Sequence, residues 1–297
     1  MPAVAAQLGP GYWLAVAFVL GLLVGSFLNV VIHRLPIMLE RAWRAECAEL
    51  NSPGVPAPAA ERYDLVAPRS ACPACRAPIS AWQNIPVVSW LVLRGRCASC
   101  AAPISVRYPL VELLTALLSA AVVWKFGVGW ATVGALLLTW YLIALSGIDL
   151  DHQLLPDALT APLLWLGLLA SLGWSVHTTT SLPVSPGDAI AGAAGGYVSL
   201  WCVYHLFRLV TGKEGLGFGD FKLLAALGAW LGWRMLLPIV MGSAAAGALV
   251  GIALIVSGRR GRGVPMPFGP FLAAAGWLAM MWGAQWVSAY LGLYARD

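Results

Sequence analysis

Apolar runs long enough to cross a membrane recur along the whole chain, and they constrain its fold more than any other feature. A membrane-spanning helix needs about 20 mostly apolar residues. The runs cover residues 12–32, 109–126, 128–148, 158–176, 189–209, 221–237, 238–257 and 270–291. Because every backbone polar group in lipid must be hydrogen-bonded within the protein, we predict an all-α membrane protein with about eight transmembrane helices.

Composition supports this class of protein and excludes others. The 297 residues are 60% hydrophobic and 10% charged, with a mean hydropathy of +0.79, whereas a soluble domain carries about 25% charged residues. The runs extend to residue 291, so one cleaved signal peptide cannot account for them. Nucleic-acid binding needs a clustered basic face on a soluble module. We therefore expect membrane lipid, and no nucleic acid, around this chain.

The basic residues predict the orientation of the helices. With eight spans, one side of the membrane receives residues 33–108, 149–157, 210–220 and 258–269. Together with nearby span ends, that side holds 15 of the 18 Lys and Arg, leaving Lys125, Arg234 and Arg296 on the other. Lys and Arg accumulate in cytoplasmic connections, so we predict that this side is cytoplasmic. Merging the sixth and seventh runs would move Arg259, Arg260 and Arg262 outside, so we keep the two runs separate, although their boundary is weakly marked.

One connection, residues 34–108, is long enough to fold by itself. We therefore predict a first transmembrane helix in residues 1–33, a large cytoplasmic loop in residues 34–108 between helices one and two, and a seven-helix membrane domain in residues 109–297. Within the loop, residues 38–62 predict a polar helix followed by a Pro/Ala linker. Residues 68–105 hold the cysteine motifs.

Four cysteines in the loop have the spacing of a metal site. Cys72 and Cys75 form one C-x2-C pair, and Cys97 and Cys100 form a second pair 21 residues further on. Two such pairs place four thiolates around one point, the closed geometry of a structural zinc site. With no open coordination position, a metal-dependent hydrolase is disfavoured. Two disulfides are the alternative, but a cytoplasmic loop keeps its thiols reduced. We predict structural Zn2+.

Two acidic motifs lie where apolar runs meet the predicted cytoplasmic surface. Asp149 ends the third run in SGIDLDHQLLPD, and Asp220 opens the sixth in GLGFGDFKLL. Charged groups at membrane depth are costly and usually functional. Gly215, Gly217 and Gly219 permit positive φ and close backbone approach beside Asp220. Two carboxylates that share a proton can activate water and protonate a peptide carbonyl without a metal, so we predict an aspartic protease pair.

Other assignments of the acidic residues stay open. Asp220 alone could be only a helix N-cap, and Asp157 is expected to cap the fourth span. We place Asp151 on the connecting turn, where it remains a less favoured catalytic candidate than Asp149. Lys222 could pair with a carboxylate or with lipid phosphate.

Polar residues near other span ends have two interpretations. Asn29 and His33 at the end of the first run, and Glu112 at the start of the second, could anchor helices at the membrane surface or bind a substrate. The sequence PFGP at 267–270 predicts a rigid entry to the last span. Cys47 and Cys202 lack the paired spacing and are expected to be buried or spare thiols.

Together these motifs resemble those of the type IV prepilin peptidase family, intramembrane aspartic proteases of the Gly-x-Gly-Asp type. The resemblance covers nearly the whole chain. Its motifs are GSFLNVVIHRLP at 25–36, PRSACPAC at 68–75, NIPVVSWLVLRGRCASC at 84–100, RYPLVELLTA at 107–116, the two aspartate motifs, and PMPFGPFLAAAGW at 265–277.

The resemblance implies a function and a catalytic pair. In that family the first aspartate of the IDLDHQLLPD-type motif and the aspartate of the GFGD motif are catalytic, which correspond to Asp149 and Asp220. It implies an inner-membrane, multi-pass enzyme whose active site faces the cytoplasm. Its substrates would be type IV prepilins and type II secretion pseudopilins, which lose a short basic leader.

The resemblance also implies a second activity. Larger members with the four-cysteine loop methylate the new N-terminal amine, with S-adenosylmethionine as methyl donor. No Rossmann glycine fingerprint is found here, and the sequence does not identify residues that bind this cofactor.

Two functions from other classes compete with a peptidase. A proton-coupled transporter could use the intramembrane carboxylates, but such proteins often contain inverted repeats, and none is evident. A non-enzymatic scaffold with a zinc loop would tolerate loss of both Asp149 and Asp220.

Overall fold

A computed structural model describes residues 9–51, 62–173, 182–213, 215–259, 261 and 265–294. Within these ranges there are nine α-helices and no strand. They are α1 (Pro10–Asn51), α2 (Val88–Val92), α3 (Arg107–Phe126), α4 (Trp130–His152), α5 (Asp157–Ser171), α6 (Pro186–Thr211), α7 (Phe218–Leu231), α8 (Leu236–Val256) and α9 (Gly269–Tyr294).

The all-α membrane architecture predicted from the apolar runs is confirmed. Each of the eight runs corresponds to one long helix, α1 or one of α3 to α9. Among the described residues, five helical segments are long and apolar enough to cross a membrane, and α5 is a shorter apolar helix. The five are Pro10–Asn51, Arg107–Phe126, Trp130–His152, Pro186–Thr211 and Trp233–Val256. The chain is a multi-pass membrane protein.

The sixth and seventh runs are separate helices, and the break between them falls at Gly232, before Arg234 and Pro238. Helix α7 ends at Leu231, and Gly232 follows with φ 80° and ψ 165°. A side chain at this positive φ would be strained, so glycine allows the chain to leave the helix here. A 3-10 turn, Trp233–Met235, then leads into α8, where Pro238 is accommodated in the first turn.

Helix α1 is longer than its apolar run. It continues through Pro36 to Asn51, a total of 42 residues, which corresponds to about 63 Å at 1.5 Å per residue. The hydrocarbon core of a bilayer is only about 30 Å thick. The polar helix predicted after residue 38 is therefore a continuation of the first span. The Pro/Ala linker predicted to follow it falls on residues 52–61, outside the described residues.

The chain forms two compact units, Met1–Val123 and Trp124–Asp297. In the first unit, α1 and α3 pack backbone against backbone at Gly21 and Gly25. A Cβ at Gly21 would lie 2.6 Å from Ala116 Cα, and a Cβ at Gly25 would lie 2.7 Å from Glu112 Cα. Small residues four apart are typical of such close helix contacts in membranes. The division into residues 1–33, 34–108 and 109–297 stays a prediction.

Helix α7 is the centre of the second unit. From Asp220 onward its residues are buried, with the single exception of Lys222 in the intermediate range. Helices α5, α6 and α9 contact it. A helix that is apolar on all faces is expected in such an interior position. By contrast, α8 is mostly exposed, with Ile239, Ser243 and Gly247 buried, as expected for a helix that faces lipid.

Glycines allow α6 to approach α7 very closely. A Cβ on Gly192 would overlap the carbonyl group of Gly228, and a Cβ on Gly196 would lie 2.7 Å from Leu224 O. The two helix backbones are thus in direct contact along one turn. Only a residue without a side chain fits at these crossing points.

A tryptophan holds α7 against its other neighbours. Trp230 Nε1 donates a hydrogen bond of 2.9 Å to Leu163 O in α5. Its indole ring also lies against Gly167, where a Cβ would be 2.7 Å from Trp230 Cδ1, and against Gly134 in α4. The buried indole N–H is therefore satisfied, while the ring fills the space that two glycines leave.

This packing predicts a position-dependent effect of one methyl group. We expect Gly192→Ala to destabilise the protein by about 1–3 kcal/mol, because the methyl group forces the α6 and α7 backbones apart. Thermal unfolding in detergent, followed by tryptophan fluorescence, measures this. Gly187→Ala is the matched control in the same helix, since a Cβ there has no neighbour within 4 Å. Equal midpoints for the two variants would contradict the proposed crossing.

Candidate active site and metal centre

Asp149 and Asp220 lie at the ends of two different helices in the second unit. Asp149 is in the last turn of α4, and Asp220 is in the first turn of α7. Both are buried, with 5% and 6% of their surface exposed. Buried carboxyl groups are rare unless they are paired or hydrogen-bonded. We therefore expect each of these two carboxyl groups to have a hydrogen-bond partner.

Each carboxyl group accepts a hydrogen bond from a backbone N–H. Gly269 N donates to Asp149 Oδ2 at 2.9 Å, and Gly217 N donates to Asp220 Oδ2 at 3.2 Å. The two side chains are also close enough for the charge of Asp149 to act on Asp220. The fold thus brings the two predicted residues together at one end of the second unit.

Leu155 links the backbone segments that carry these donors. A Cβ on Gly219 would lie 2.6 Å from Leu155 Cβ, and a Cβ on Gly269 would lie 3.1 Å from Leu155 Cδ2 and 2.7 Å from Asp149 Oδ2. Leu155 itself is buried. The start of α7 and the start of α9 are therefore both packed against the connection between α4 and α5, beside Asp149.

Close approach, but not positive φ, explains the glycines before Asp220. Among the described residues, the glycines with positive φ are Gly95, Gly127, Gly212, Gly232 and Gly258. Gly215, Gly217 and Gly219 therefore do not adopt the positive φ that glycine permits. Gly219 is required by its contact with Leu155, and a Cβ on Gly215 would lie 2.8 Å from the Phe207 ring.

The structure also revises the positions of the neighbouring acidic residues. Asp151 is exposed in the last turn of α4 rather than on the connecting turn. Pro156, not Asp157, occupies the N-cap position of α5. Asp157 instead pairs with Lys222 in α7, at 2.6 Å. This ion pair joins the starts of α5 and α7. Of the two partners considered for Lys222, a carboxylate and a lipid phosphate, the structure shows a carboxylate.

The entry to α9 has a role that the sequence motif did not indicate. PFGP was interpreted as a rigid helix entry, and α9 does begin at Gly269. Its first N–H is also the donor to Asp149, and Gln153 Nε2 donates to Pro265 O at 3.1 Å in the same segment. A glycine directly before a proline was the available signal, but its partner is 120 residues away.

Aromatic side chains brace the helix start that carries Asp220. Tyr204 in α6 packs against Phe218 and Phe221 of α7, with ring centroids 5.3 and 5.8 Å apart. Tyr204 is buried, whereas Phe218 is 54% exposed. The exposed ring places an apolar surface two residues from the carboxyl group.

The four predicted cysteine ligands form a cluster in the first unit. Cys72 Sγ and Cys100 Sγ are 3.8 Å apart, and the four sulfur atoms all lie within 4.8 Å of one another. Four sulfurs bound at about 2.3 Å to a tetrahedral zinc ion lie about 3.8 Å from each other. The cluster therefore has the size and ligand set to hold a metal ion.

The two cysteine pairs are copies of one structural unit. Cys72 N donates to Ala77 O at 2.9 Å, and Cys97 N donates to Ala102 O at 2.8 Å. Arg76 and Ala101 both adopt positive φ, and isolated bridges join 71 to 78 and 96 to 103. The sequence contains a signal for this repeat beyond the cysteine spacing. The pattern C-x2-C-x-A-P-I-S occurs twice, 25 residues apart, at 72–80 and 97–105.

The protonation of these thiols also favours a bound cation. Backbone N–H groups of Cys100 and Ser99 lower the pKa of Cys97 to about 6. The backbone N–H of Ala102 lowers the pKa of Cys100, but hydrogen bonding with Cys75, burial and the remaining thiols raise it to about 12. The crowded thiols do not all ionise by themselves at neutral pH. A divalent cation would allow all four to become thiolates.

Helix α1 holds the chain segment that leads into this cluster. The buried Arg34 donates to Asp64 O at 2.9 Å and to Pro68 O at 2.7 Å. The Asp64 carboxylate accepts hydrogen bonds from the N–H groups of Ala67 and Val66, and with the help of Arg62 these lower its pKa to about 2. The turn therefore remains hydrogen-bonded throughout the physiological pH range.

Asn29 and Glu112 are interior residues rather than surface anchors. Their exposed fractions are 9% and 8%. Asn29 Nδ2 donates to Tyr108 O at 3.1 Å, and Glu112 Oε2 accepts from Val87 N at 2.7 Å. Asn29 therefore ties α1 to the start of α3, and Glu112 ties α3 to the cysteine loop. His33, one turn after Asn29 in α1, is exposed.

Comparison with family models decides the class of this protein. Residues 19–126 match the model of the bacterial peptidase A24 N-terminal domain, and residues 136–252 match that of the type IV leader peptidase family. The chain belongs to the type IV leader peptidase family. The expected family and enzyme class, a peptidase, are thus confirmed.

Similar proteins cover nearly the whole chain. A prepilin leader peptidase/N-methyltransferase of Aeromonas hydrophila is 55% identical over 285 residues, 95% of each chain. The protein of that name from Pseudomonas aeruginosa is 55% identical over 92% of this chain and 91% of its own. The one from Xanthomonas campestris pv. campestris is 49% identical over 95% and 96%. A comparison with solved structures found no match.

The cysteine cluster predicts the metal content of the protein. We expect purified wild-type protein to contain about one metal ion per chain, as a closed four-cysteine site holds, and Cys72→Ser to contain much less. Cys47→Ser is the control, because this exposed free thiol lies in the same unit outside the cluster. Elemental analysis by mass spectrometry measures both. An undiminished metal content in Cys72→Ser would argue against the cluster as the site.

Proposed function

We propose that this protein is an aspartic endopeptidase whose catalytic pair is Asp149 and Asp220. The observation that carries the proposal is the pair itself: two buried carboxyl groups from different helices, each held by a backbone N–H. Groups buried together in this way cannot both ionise easily, so they share a proton. A shared proton provides the acid and the base that peptide hydrolysis requires.

The hydrolysis follows from this arrangement. The ionised carboxylate takes a proton from a water molecule, whose oxygen attacks the carbonyl carbon of the peptide bond. The protonated carboxyl group of the pair donates its proton to the carbonyl oxygen. When the C–N bond breaks, the nitrogen leaves as an amine with a proton taken from the pair. As the C=O bond re-forms, a hydroxyl group of the tetrahedral intermediate returns its proton to the pair, which restores the starting state. The N–H groups of Gly269 and Gly217 keep the carboxyl groups oriented throughout.

The proposed substrates are type IV prepilins and type II secretion pseudopilins, which would lose a short basic leader. Support comes from the relatives, which are called prepilin leader peptidases. The exposed ring of Phe218 beside Asp220 offers an apolar contact for the hydrophobic helix that follows such a leader. The excess of Lys and Arg beside the aspartate motifs supports a cytoplasmic active site in the inner membrane.

We further propose N-methylation of the new N-terminus, because the relatives are also called N-methyltransferases. S-Adenosylmethionine, when bound, would supply the methyl group from its sulfonium centre, and the acceptor would be the new N-terminal amine in its deprotonated form. The cysteine cluster would hold Zn2+ in a structural role, because four cysteines leave no open position for a catalytic water.

Single-residue variants separate this mechanism from its rivals. In cleavage of a synthetic prepilin by purified protein in detergent, we expect Asp149→Asn and Asp220→Asn each to lower kcat by about 10²- to 10⁴-fold, the usual contribution of a positioned acid or base. Asp151→Asn is the matched control, since its carboxyl group is exposed in the same helix turn. Near wild-type cleavage by either of the first two variants would rule out the pair, whereas absence of cleavage by the wild-type protein would favour a transporter or scaffold.

The backbone donor to Asp149 gives a second expectation. Gly269→Ala retains the N–H but places a Cβ 2.7 Å from Asp149 Oδ2, so the carboxyl group must move. We expect kcat to fall by about 10- to 100-fold with little change in KM, because misplacement affects chemistry more than binding. Gly242→Ala in α8 is the control, as its Cβ would make an ordinary 3.7 Å contact with Ala275. Equal loss in both variants would indicate general destabilisation instead.

A further inference from the structure

The first unit contains a cavity of about 530 Å³ that the peptidase mechanism does not use. It lies between one face of α1, the start of α3 and the cysteine loop. Pockets that bind cofactors commonly measure about 300–1,000 Å³. The other described cavity of note lies in the second unit, near Arg234 and the C-terminal end of α7, and measures about 170 Å³. The larger cavity is therefore the one with room for a nucleoside-sized molecule.

The side chains that line this cavity include acidic, basic, amide and aromatic groups. Its walls include the carboxylate of Glu112, the amide of Asn29, the indole of Trp90, and the basic side chains of His33 and Arg34. Trp90 is held in place, since its Nε1 donates to Ile104 O at 3.2 Å. Anionic, cationic and aromatic groups around one space suit a ligand that itself carries a cation, a carboxylate and a heteroaromatic ring.

The backbone around Glu112 is strained. Val87 has φ 59° and ψ −49°, and a β-branched residue at positive φ is a genuine outlier. Its N–H donates to Glu112 Oε2 at 2.7 Å. Strained backbone persists where the surrounding structure enforces it, often at functional sites. Here the strained residue positions a buried carboxylate, the one acidic side chain that lines the cavity.

We infer that this cavity binds S-adenosylmethionine, with the Glu112 carboxylate facing the sulfonium. The inference rests on the proposed methyltransferase activity and assigns its cofactor site to the first unit. The Trp90 ring would contact the adenine, and the basic residues His33 and Arg34 would face the carboxylate of the methionine part. The buried carboxylate has no paired cation among its resolved partners, which are Val87 N–H and Ser26. A sulfonium supplies that charge.

The metal cluster is part of the same cavity. Cys72 and Cys97 contribute to its wall, so the ordering of the loop around a metal ion also shapes the cofactor site. This connection gives the structural metal a function in methylation without any role in the chemistry. Removing the metal should therefore weaken cofactor binding.

Binding of labelled S-adenosylmethionine to full-length protein in detergent, measured by equilibrium dialysis, tests the site. We expect Val30→Trp, which fills the cavity from α1, to abolish binding. Val19→Trp is its matched control, since Val19 is exposed on the same helix away from the cavity. Metal content and thermal unfolding of each variant establish that it is folded. Unchanged affinity in a folded Val30→Trp variant would place the cofactor elsewhere and overturn the inference.

Glu112→Gln tests the charge. The amide oxygen can still accept from Val87 N–H, so the loop is preserved. We expect the affinity for S-adenosylmethionine to fall about tenfold, as for loss of one charge-assisted contact. Affinity for S-adenosylhomocysteine, which lacks the sulfonium, should change little. Glu40→Gln, on the exposed part of α1, should affect neither. Equal weakening of both ligands by Glu112→Gln would contradict the assigned contact.

The wild-type protein distinguishes failure of the site from failure of the function. If it binds no S-adenosylmethionine at millimolar concentration, the proposed methylation itself is wrong and the inferred site falls with it. If it binds, and metal chelation lowers the affinity, the coupling of the cluster to the cavity is supported. Binding that is indifferent both to chelation and to Val30→Trp would overturn the site alone.

Discussion

Direct backbone contact between α6 and α7 determines the geometry of the whole second unit. At Gly192 and Gly228 the two helices touch without intervening side chains. Such contact is favourable in a membrane, where apolar side chains gain little by associating and close van der Waals packing supplies the attraction. With α7 held on this side, Trp230 can reach Leu163 on the other. The position of Asp220 follows from this packing.

The carboxyl groups lie at helix ends for a physical reason. Within a helix nearly every N–H is already bonded, and only the first four are free to serve other acceptors. Asp149 uses the N–H of Gly269, the first residue of α9, and Asp220 uses that of Gly217, just before α7. Both buried acids thereby have a backbone hydrogen-bond donor, which, unlike a paired Lys or Arg, does not favour ionisation of both.

The cysteine loop of the first unit is too poor in buried apolar side chains to fold around a core of its own. Residues 62–106 have few such side chains and no strands. Two equivalent turns bring four thiols together, and a metal ion would supply the missing folding energy. Arg34 and Glu112 then attach this loop to α1 and α3 by hydrogen bonds to its backbone. The cavity is the space enclosed by these attachments.

The sequence by itself determined the class of fold and the candidate chemistry. Apolar runs specify helices because lipid offers the backbone no other hydrogen-bond partner. The C-x2-C spacing specifies thiol pairs because each pair lies in one short turn closed by nearby residues. What only the tertiary structure decided depends on residues far apart in the chain. The burial of Asp149 but not Asp151, the donation from Gly269 and the pairing of Lys222 with Asp157 are of this kind. A contact across 65 or 120 residues has no periodic trace in the sequence, because it depends on how closely whole helices approach one another.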